Sequence, residues 1–87
     1  MAGSVLLVED EENLASLVEA YLQKEGYGVV AVGTGAEALD VLAEEPVRLV
    51  VLDLNLPDRD GLDVCRQIRT GSAVPIVMLT EIGRAHV

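Results

Sequence analysis

Residues 47–61 read VRLVVLDLNLPDRDG, and this stretch determines the architecture that we expect. Its first part, Val47 to Leu52, is the most hydrophobic strand candidate in the chain. Asp53 follows the apolar run directly, and the segment from Pro57 to Gly61 is rich in turn-forming residues. The pattern predicts a buried strand that ends in a carboxylate and is followed by a tight connection.

Three other short apolar runs flank this stretch, and each predicts a further strand. They are Val5 to Val8, Tyr27 to Val32 and Val74 to Leu79. The segments between them have the length and the signals of helices. Strict alternation of strands and helices implies parallel strands joined by right-handed crossovers, with helices on both faces. The sequence therefore predicts an α/β fold with a doubly wound parallel sheet.

Capping signals mark the ends of the three predicted helices. The first helix carries apolar residues at helical spacing and ends before Gly26. The second begins at a capping box formed by Thr34 and Glu37, and it extends through Ala43. Asp60 is the predicted N-cap of the third. The residues predicted to face the core are Leu14, Leu17, Val18, Tyr21 and Leu22 in the first helix, and Leu62, Cys65 and Ile68 in the third.

Length and composition limit the classes of function. The chain has 87 residues, room for one small domain, and 51% of them are hydrophobic. A net charge of -9 opposes binding to nucleic acid or to anionic lipid by this segment. The apolar runs are far shorter than the about 18 residues that a membrane helix needs. The single cysteine, Cys65, fits a reducing compartment, so we expect a cytoplasmic location.

Polar side chains follow three of the predicted strands. The first strand is followed by Glu9 and Asp10, the third by Asp53 and the fourth by Thr80. The carboxyl ends of parallel strands lie at one edge of the sheet, so these groups should converge. At about 5 Å and an effective dielectric constant of about 20, each carboxylate pair repels by roughly 3 kcal/mol. A Mg²⁺ ion would relieve this repulsion, and Asp53 would then be a nucleophile for phosphoryl transfer.

Four motifs in order resemble the receiver domain of bacterial two-component response regulators. The resemblance covers residues 4–80, and the four motifs together are far more specific than any one of them. They are Val8-Glu-Asp-Glu11, Ala31 to Leu39, Leu52-Asp-Leu-Asn-Leu-Pro57 with Asp60-Gly61, and Pro75-Ile-Val-Met-Leu-Thr80.

The resemblance implies a flavodoxin-like receiver fold and a signalling switch that is not an enzyme. It implies that Asp53 accepts a phosphoryl group from a sensor histidine kinase, and that Thr80 is the switch hydroxyl. It also implies that Mg²⁺ is bound by Glu9, Asp10 and Asp53 together with the backbone carbonyl of Asn55. An output domain that regulates transcription is a further expectation from the resemblance.

Two departures from the family pattern lead to expectations about the end of the chain. The family uses a lysine at the end of a fifth strand, whereas the only lysine here is Lys24. We therefore expect residues 1–80 to be a partial receiver domain without the fifth strand and the last helices. Its exposed fourth strand would offer Ile76 and Met78 for self-association. Residues 81–87 do not resemble the family's loop after the fourth strand, and we expect them to be a non-native tail.

Two alternatives come from other functional classes. The pattern Gly33-x-Gly35-x-x-Ala38 after a strand matches the dinucleotide-binding fingerprint of oxidoreductases. Against it, the capping box already explains this segment, and the fingerprint usually follows the first strand. A Mg²⁺-dependent phosphohydrolase with an aspartyl nucleophile is the other alternative. It is weakened because Asn55, two residues after Asp53, cannot act as a general acid.

Overall fold

The computed structural model describes residues 3–79 and contains, within them, four parallel strands and three helices. The strand order in the sheet is β2-β1-β3-β4. The predicted α/β fold with a parallel sheet is confirmed. In chain order the elements are β1 (Ser4–Val8), α1 (Glu12–Lys24), β2 (Val29–Val32), α2 (Gly35–Glu44), β3 (Val47–Asp53), α3 (Gly61–Arg69) and β4 (Ile76–Leu79).

The two central strands β1 and β3 are covered on both faces, which explains why their sequences are almost continuously hydrophobic. Helices α2 and α3 cover one face and α1 covers the other. The face under α2 and α3 contains Leu6, Val8, Val50 and Leu52 from the sheet. The face under α1 contains Val5, Leu7 and Val51.

The predicted helix ends are confirmed. The Glu37 amide donates to the Thr34 hydroxyl at 3.1 Å, and the Glu37 carboxylate accepts the Gly33 amide at 3.1 Å. Asp60 accepts the Leu62 amide at 2.9 Å at the start of α3. Gly26 follows α1 with φ of 95°, a left-handed conformation that glycine adopts without steric cost. Each helix therefore begins or ends where its local sequence chemistry indicates.

Two predicted core faces are partly wrong. In α1, Leu17 is 68% exposed and Tyr21 is 64% exposed, because the helix contacts the sheet along a narrower stripe than the sequence pattern suggests. The residues of α1 that pack on the sheet are Ala15, Val18 and Leu22.

Helix α3 also presents a different face from the predicted one. Its buried residues are Gly61, Val64 and Ile68, while Leu62 is 46% exposed. Gly61 packs against the backbone of Asp53 and Leu54 at the end of β3. Leu62 lies about 100° further around the helix and therefore faces solvent. Cys65 is half-buried against the core, as predicted.

The edge strand β4 differs from the expectation in its length and in the face that it exposes. It begins at Ile76, two residues later than predicted. Ile76 and Met78 pack against the core under α2 and α3, so they are not the residues offered to a second copy. The exposed residue is Val77, at 51%, because successive side chains of a strand point to opposite faces.

Several predictions concern residues beyond the described part of the chain. Thr80 and residues 81–87 lie outside residues 3–79, so the switch hydroxyl, the domain limit at residue 80 and the non-native tail stay predictions. Within residues 3–79, none of the helices combines the length and the apolar character that crossing a bilayer requires.

Candidate functional site

Three carboxylates meet at the carboxyl edge of the two central strands. Glu9, Asp10 and Asp53 each place a carboxylate oxygen within 4.8 Å of the others. Glu9 and Asp53 are buried, at 4% and 2% exposure, whereas Asp10 is exposed. We call these three residues the acidic cluster; the structure brings them together as the sequence predicted.

Strand register explains this convergence. β1 pairs with β3 in parallel, and Val8 lies opposite Leu52. The next residues, Glu9 and Asp53, therefore leave the sheet at the same level. Both strands contribute buried side chains to the two faces of the sheet, so the cluster lies at the end of the sheet's core.

Backbone amides orient the two buried carboxylates. The Asn55 amide donates to Asp53 Oδ1 at 3.1 Å, and the Glu11 amide donates to Glu9 Oε2 at 2.9 Å. Each of these bonds uses one oxygen of its carboxylate, and the other oxygen is not engaged by either of these two amides.

The loop between β3 and α3, residues 54–60, is closed at its base. The Gly61 amide donates to the Leu54 carbonyl at 2.9 Å, and Asn55 forms an antiparallel bridge with Asp60. Asn55 and Asp10 line the same surface cavity of about 410 Å³. This common cavity puts Asn55 within the environment of the acidic cluster.

The electrostatics of the cluster are unfavourable without a cation. Burial, together with the charges of Asp53 and Asp10 and a hydrogen bond to Asp53, raises the pKa of Glu9 from 4.5 to about 7. The hydrogen bond from the Glu11 amide opposes this shift. Near neutral pH, Glu9 is therefore partly protonated, and its protonated form can donate a hydrogen bond to Asp53.

The donor set fits Mg²⁺. In the part of the chain from residue 3 to residue 79, the two ion pairs, Arg59 with Asp58 and Arg66 with Asp63, use other carboxylates. The charge of the acidic cluster is thus not neutralised by an ion pair within this part of the chain. Oxygen ligands in a mostly carboxylate set, without histidine or sulfur, are those that Mg²⁺ prefers.

Two acidic residues have roles that the sequence analysis did not identify. Glu11 caps α1 by accepting the Leu14 amide at 2.7 Å. Asp58 caps α2 across the molecule, accepting the Gly35 amide at 2.9 Å and the Ala36 amide at 3.0 Å. The Gly35 amide is the main cause that lowers the pKa of Asp58 below its usual value. The second cap has no local sequence signal, because its partners lie 22 and 23 residues away.

These caps also bear on the dinucleotide alternative. A bound pyrophosphate would need free amides at the start of α2. The amides of Gly35 and Ala36 donate to Asp58, and that of Glu37 donates to Thr34. The segment from Gly33 to Ala38 is thus a capped helix start, and the dinucleotide interpretation is not supported.

Comparisons with known proteins agree with this geometry. The family model described as "Response regulator receiver domain" matches residues 5–86. Among similar solved structures, the BeF3-activated N-terminal receiver domain of RstA from Klebsiella pneumoniae is 40% identical, with a TM-score of 0.85. That similarity covers 88% of this chain and 66% of the RstA chain.

Two more structures show the same similarity. A sensor protein from Polaromonas sp. JS666 is 34% identical with a TM-score of 0.83, covering 88% of this chain and 64% of that one. A CheY-like response regulator receiver domain from Methylobacillus flagellatus is 28% identical with a TM-score of 0.84, covering 92% and 70%. The chain spans slightly less than two thirds of the RstA and Polaromonas structures. From the family match and the flavodoxin-like fold, we conclude that the chain belongs to the response regulator receiver domain family, whose members are phosphoacceptor switches in two-component signalling.

Proposed function

We propose that Asp53 is the phosphoacceptor of this receiver domain and that the acidic cluster binds Mg²⁺ next to it. The observation that carries the proposal is the approach of Glu9, Asp10 and Asp53 to within 4.8 Å of one another. Asp53 is the member that suits the role, since it ends the central strand β3 and has one oxygen free of the Asn55 amide.

The other residues have distinct tasks in this proposal. Glu9, Asp10 and Asp53 would supply carboxylate oxygens to the ion, and Asn55 would supply its backbone carbonyl. When bound, Mg²⁺ neutralises charge on the cluster and on the incoming phosphoryl oxygens. The Asn55 amide binds one oxygen of the Asp53 carboxylate and so orients it, and the second oxygen would attack the phosphoryl donor. Thr80 would contact the phosphoryl group as the switch hydroxyl.

The partner in this proposal is a sensor histidine kinase. An Asp53 oxygen attacks the phosphorus of the kinase phosphohistidine and forms an O–P bond as the P–N bond breaks. The donor imidazole takes up a proton. The added charge of about -1.5 to -2 then reorders neighbouring loops. The proposal places this switch in the cytoplasm, upstream of an output domain that regulates transcription, and it assigns the chain no enzymatic turnover of its own.

Phosphorylation by a small donor tests the assignment of Asp53. The 87-residue chain is incubated with acetyl phosphate and Mg²⁺, and its intact mass is measured. We expect a gain of one phosphoryl group that is absent in Asp53→Asn and is prevented by EDTA.

The matched control is Asp63→Asn, which changes an exposed carboxylate on α3 in the same way. It should gain the same mass as the unmodified sequence. An equal mass gain in Asp53→Asn would show that another residue is the acceptor.

A further inference from the structure

The loop that carries Asn55 is attached to the rest of the molecule at two places. Its base is closed by the bond between Leu54 and Gly61 and by the bridge between Asn55 and Asp60. Its far end is attached through Asp58, which contacts a different element, α2. The base and the far end are thus fixed by independent contacts.

The attachment at Asp58 is a bidentate, charge-assisted contact. Its two carboxylate oxygens accept separate amides, from Gly35 at 2.9 Å and from Ala36 at 3.0 Å. Both amides belong to the first turn of α2, where helix amides have no partner within the helix and the helix dipole favours an anion. Because two parallel bonds are formed, the contact fixes the orientation of the Asp58 carboxylate on α2 as well as its distance from the helix.

Arg59 extends the attachment. Its Nε donates to Asp58 Oδ2 at 3.2 Å, and its guanidinium donates to Gln67 of α3 at 3.1 Å. Its aliphatic part lies over Gly35 so closely that a Cβ at that position would be 2.8 Å from Arg59 Cδ. Asp58 and Arg59 therefore hold the loop between α2 and α3.

We propose that Asp58 is a positioning residue for the metal site, which holds the β3–α3 loop to α2 and so keeps Asn55 in place beside Asp53. The inference rests on the proposed Mg²⁺ site. Asp58 does not touch the ion; it acts through the loop. Without Asp58, the loop keeps its closed base and the bond from Arg59 to Gln67 of α3, but it loses its attachment to α2. The Asn55 peptide groups then gain freedom to move relative to Asp53 and to the proposed ion site.

Two measurements on the 87-residue chain test this proposal. The first is the Mg²⁺ dissociation constant from isothermal titration calorimetry. Loss of a side chain that supports a metal ligand should weaken binding about tenfold in Asp58→Ala. The second is amide hydrogen exchange in EDTA. The Asn55 amide should exchange faster in Asp58→Ala relative to the Val50 amide, which lies in the buried strand β3 and reports opening of the whole fold.

Two further variants complete the design. Asp63→Ala removes one negative charge from an exposed residue of α3 that pairs with Arg66, and both readouts should match those of the unmodified chain. Asp58→Asn keeps one acceptor oxygen for Gly35 but cannot accept both amides, so its effects should lie between those of alanine and aspartate. If Asp58→Ala does not fold, both measurements can still be made on Asp58→Asn.

The outcomes separate this inference from the proposed function. If the unmodified chain binds Mg²⁺ and both Asp58 variants match Asp63→Ala in affinity and in Asn55 exchange, the positioning role is wrong while the metal site stands. If Asn55 and Val50 exchange accelerate equally, Asp58 contributes to global stability and the positioning role is also wrong. If the unmodified chain shows no saturable Mg²⁺ binding, the proposed function fails and this inference fails with it.

Discussion

Folding disfavours the charged form of the Glu9 carboxyl group in the acidic cluster. Its pKa rises from 4.5 to about 7, chiefly because it is buried. A carboxyl group whose pKa is raised on folding stabilises the fold fully below its unfolded pKa, and this contribution is lost as the pH rises through the folded pKa. Without metal, the protein should therefore lose stability between about pH 5 and about pH 7.

We expect Glu9→Gln to remove most of this loss. In EDTA at pH 8 the variant should exceed the unmodified chain in free energy of unfolding by about 1 to 3 kcal/mol, because it buries no charge at position 9. At pH 4 the two should be nearly equal. Urea unfolding at both pH values measures the difference. The exposed Glu12→Gln is the control and should show no such pH dependence; a Glu9→Gln chain less stable than the unmodified one at pH 8 would contradict this account of Glu9.

Gly61 is the residue where α3 approaches the end of β3 most closely. A Cβ at this position would be 2.7 Å from Leu54 Cα and would also press on the Asp53 carbonyl. Since the opposing atoms are backbone, they cannot move aside without disturbing the closed base of the loop. We expect Gly61→Ala to destabilise the fold by about 1 to 3 kcal/mol in urea unfolding.

Gly71, which follows α3, is the matched control for this substitution. Nothing lies within 4 Å of a Cβ built there, so Gly71→Ala should change the free energy of unfolding by less than about 0.5 kcal/mol. If both variants lose the same free energy of unfolding, close packing at Gly61 is not the cause of the destabilisation.

The acidic cluster was predictable from sequence because its members end two strands, β1 and β3, that pair in parallel. The pair Glu9 and Asp10 follows one apolar run and Asp53 follows another, and parallel pairing brings strand ends to one edge. The role of Asp58 was not predictable in the same way. Its partners are fixed by how the loop folds over α2, and that contact depends on tertiary packing with no local pattern.

Helix α1 shows what hydrophobic spacing can and cannot specify. The spacing correctly placed a helix over this segment and correctly included Val18 and Leu22 in its buried stripe. It also assigned Leu17 and Tyr21 to the core, although both are mostly exposed in the described structure. An apolar side chain satisfies a helical pattern whether or not a neighbouring element covers it, so the pattern alone overestimates the width of the buried face.

Two leucines of α1 provide a direct test of the observed packing. Leu22→Ala removes contacts with the sheet and should cost about 2 kcal/mol of unfolding free energy. Leu17→Ala makes the same chemical change at a position that is 68% exposed, and it should cost less than about 0.5 kcal/mol. Urea unfolding of both variants compares them, and a larger loss for Leu17→Ala would mean that α1 lies on the sheet in a different rotation.

The whole molecule presents two sheet edges within its described part, one at β2 and one at β4. The β4 edge is the more apolar of the two. Its exposed residue is Val77, which is 51% exposed on the same side of the sheet as α1, whereas the exposed residue of β2 is the smaller Ala31. An exposed edge strand with apolar side chains can pair with another chain. We therefore expect the 87-residue chain to self-associate through β4, although its net charge of -9 opposes association.

Lysine substitutions at the two edges test where association occurs. Val77 and Ala31 are matched positions, since Val77 pairs with Val51 and Ala31 pairs with Leu7, placing both on the same face at opposite edges. A lysine on an edge strand blocks pairing, so Val77→Lys should shift the chain toward monomer in sedimentation velocity. The added positive charge lowers the net negative charge of the chain and so favours association. A loss of association in Val77→Lys would therefore come from the changed β4 edge and not from charge repulsion. Ala31→Lys carries the same charge and should leave association unchanged or slightly stronger; if it dissociates the chain as Val77→Lys does, β4 is not the associating edge.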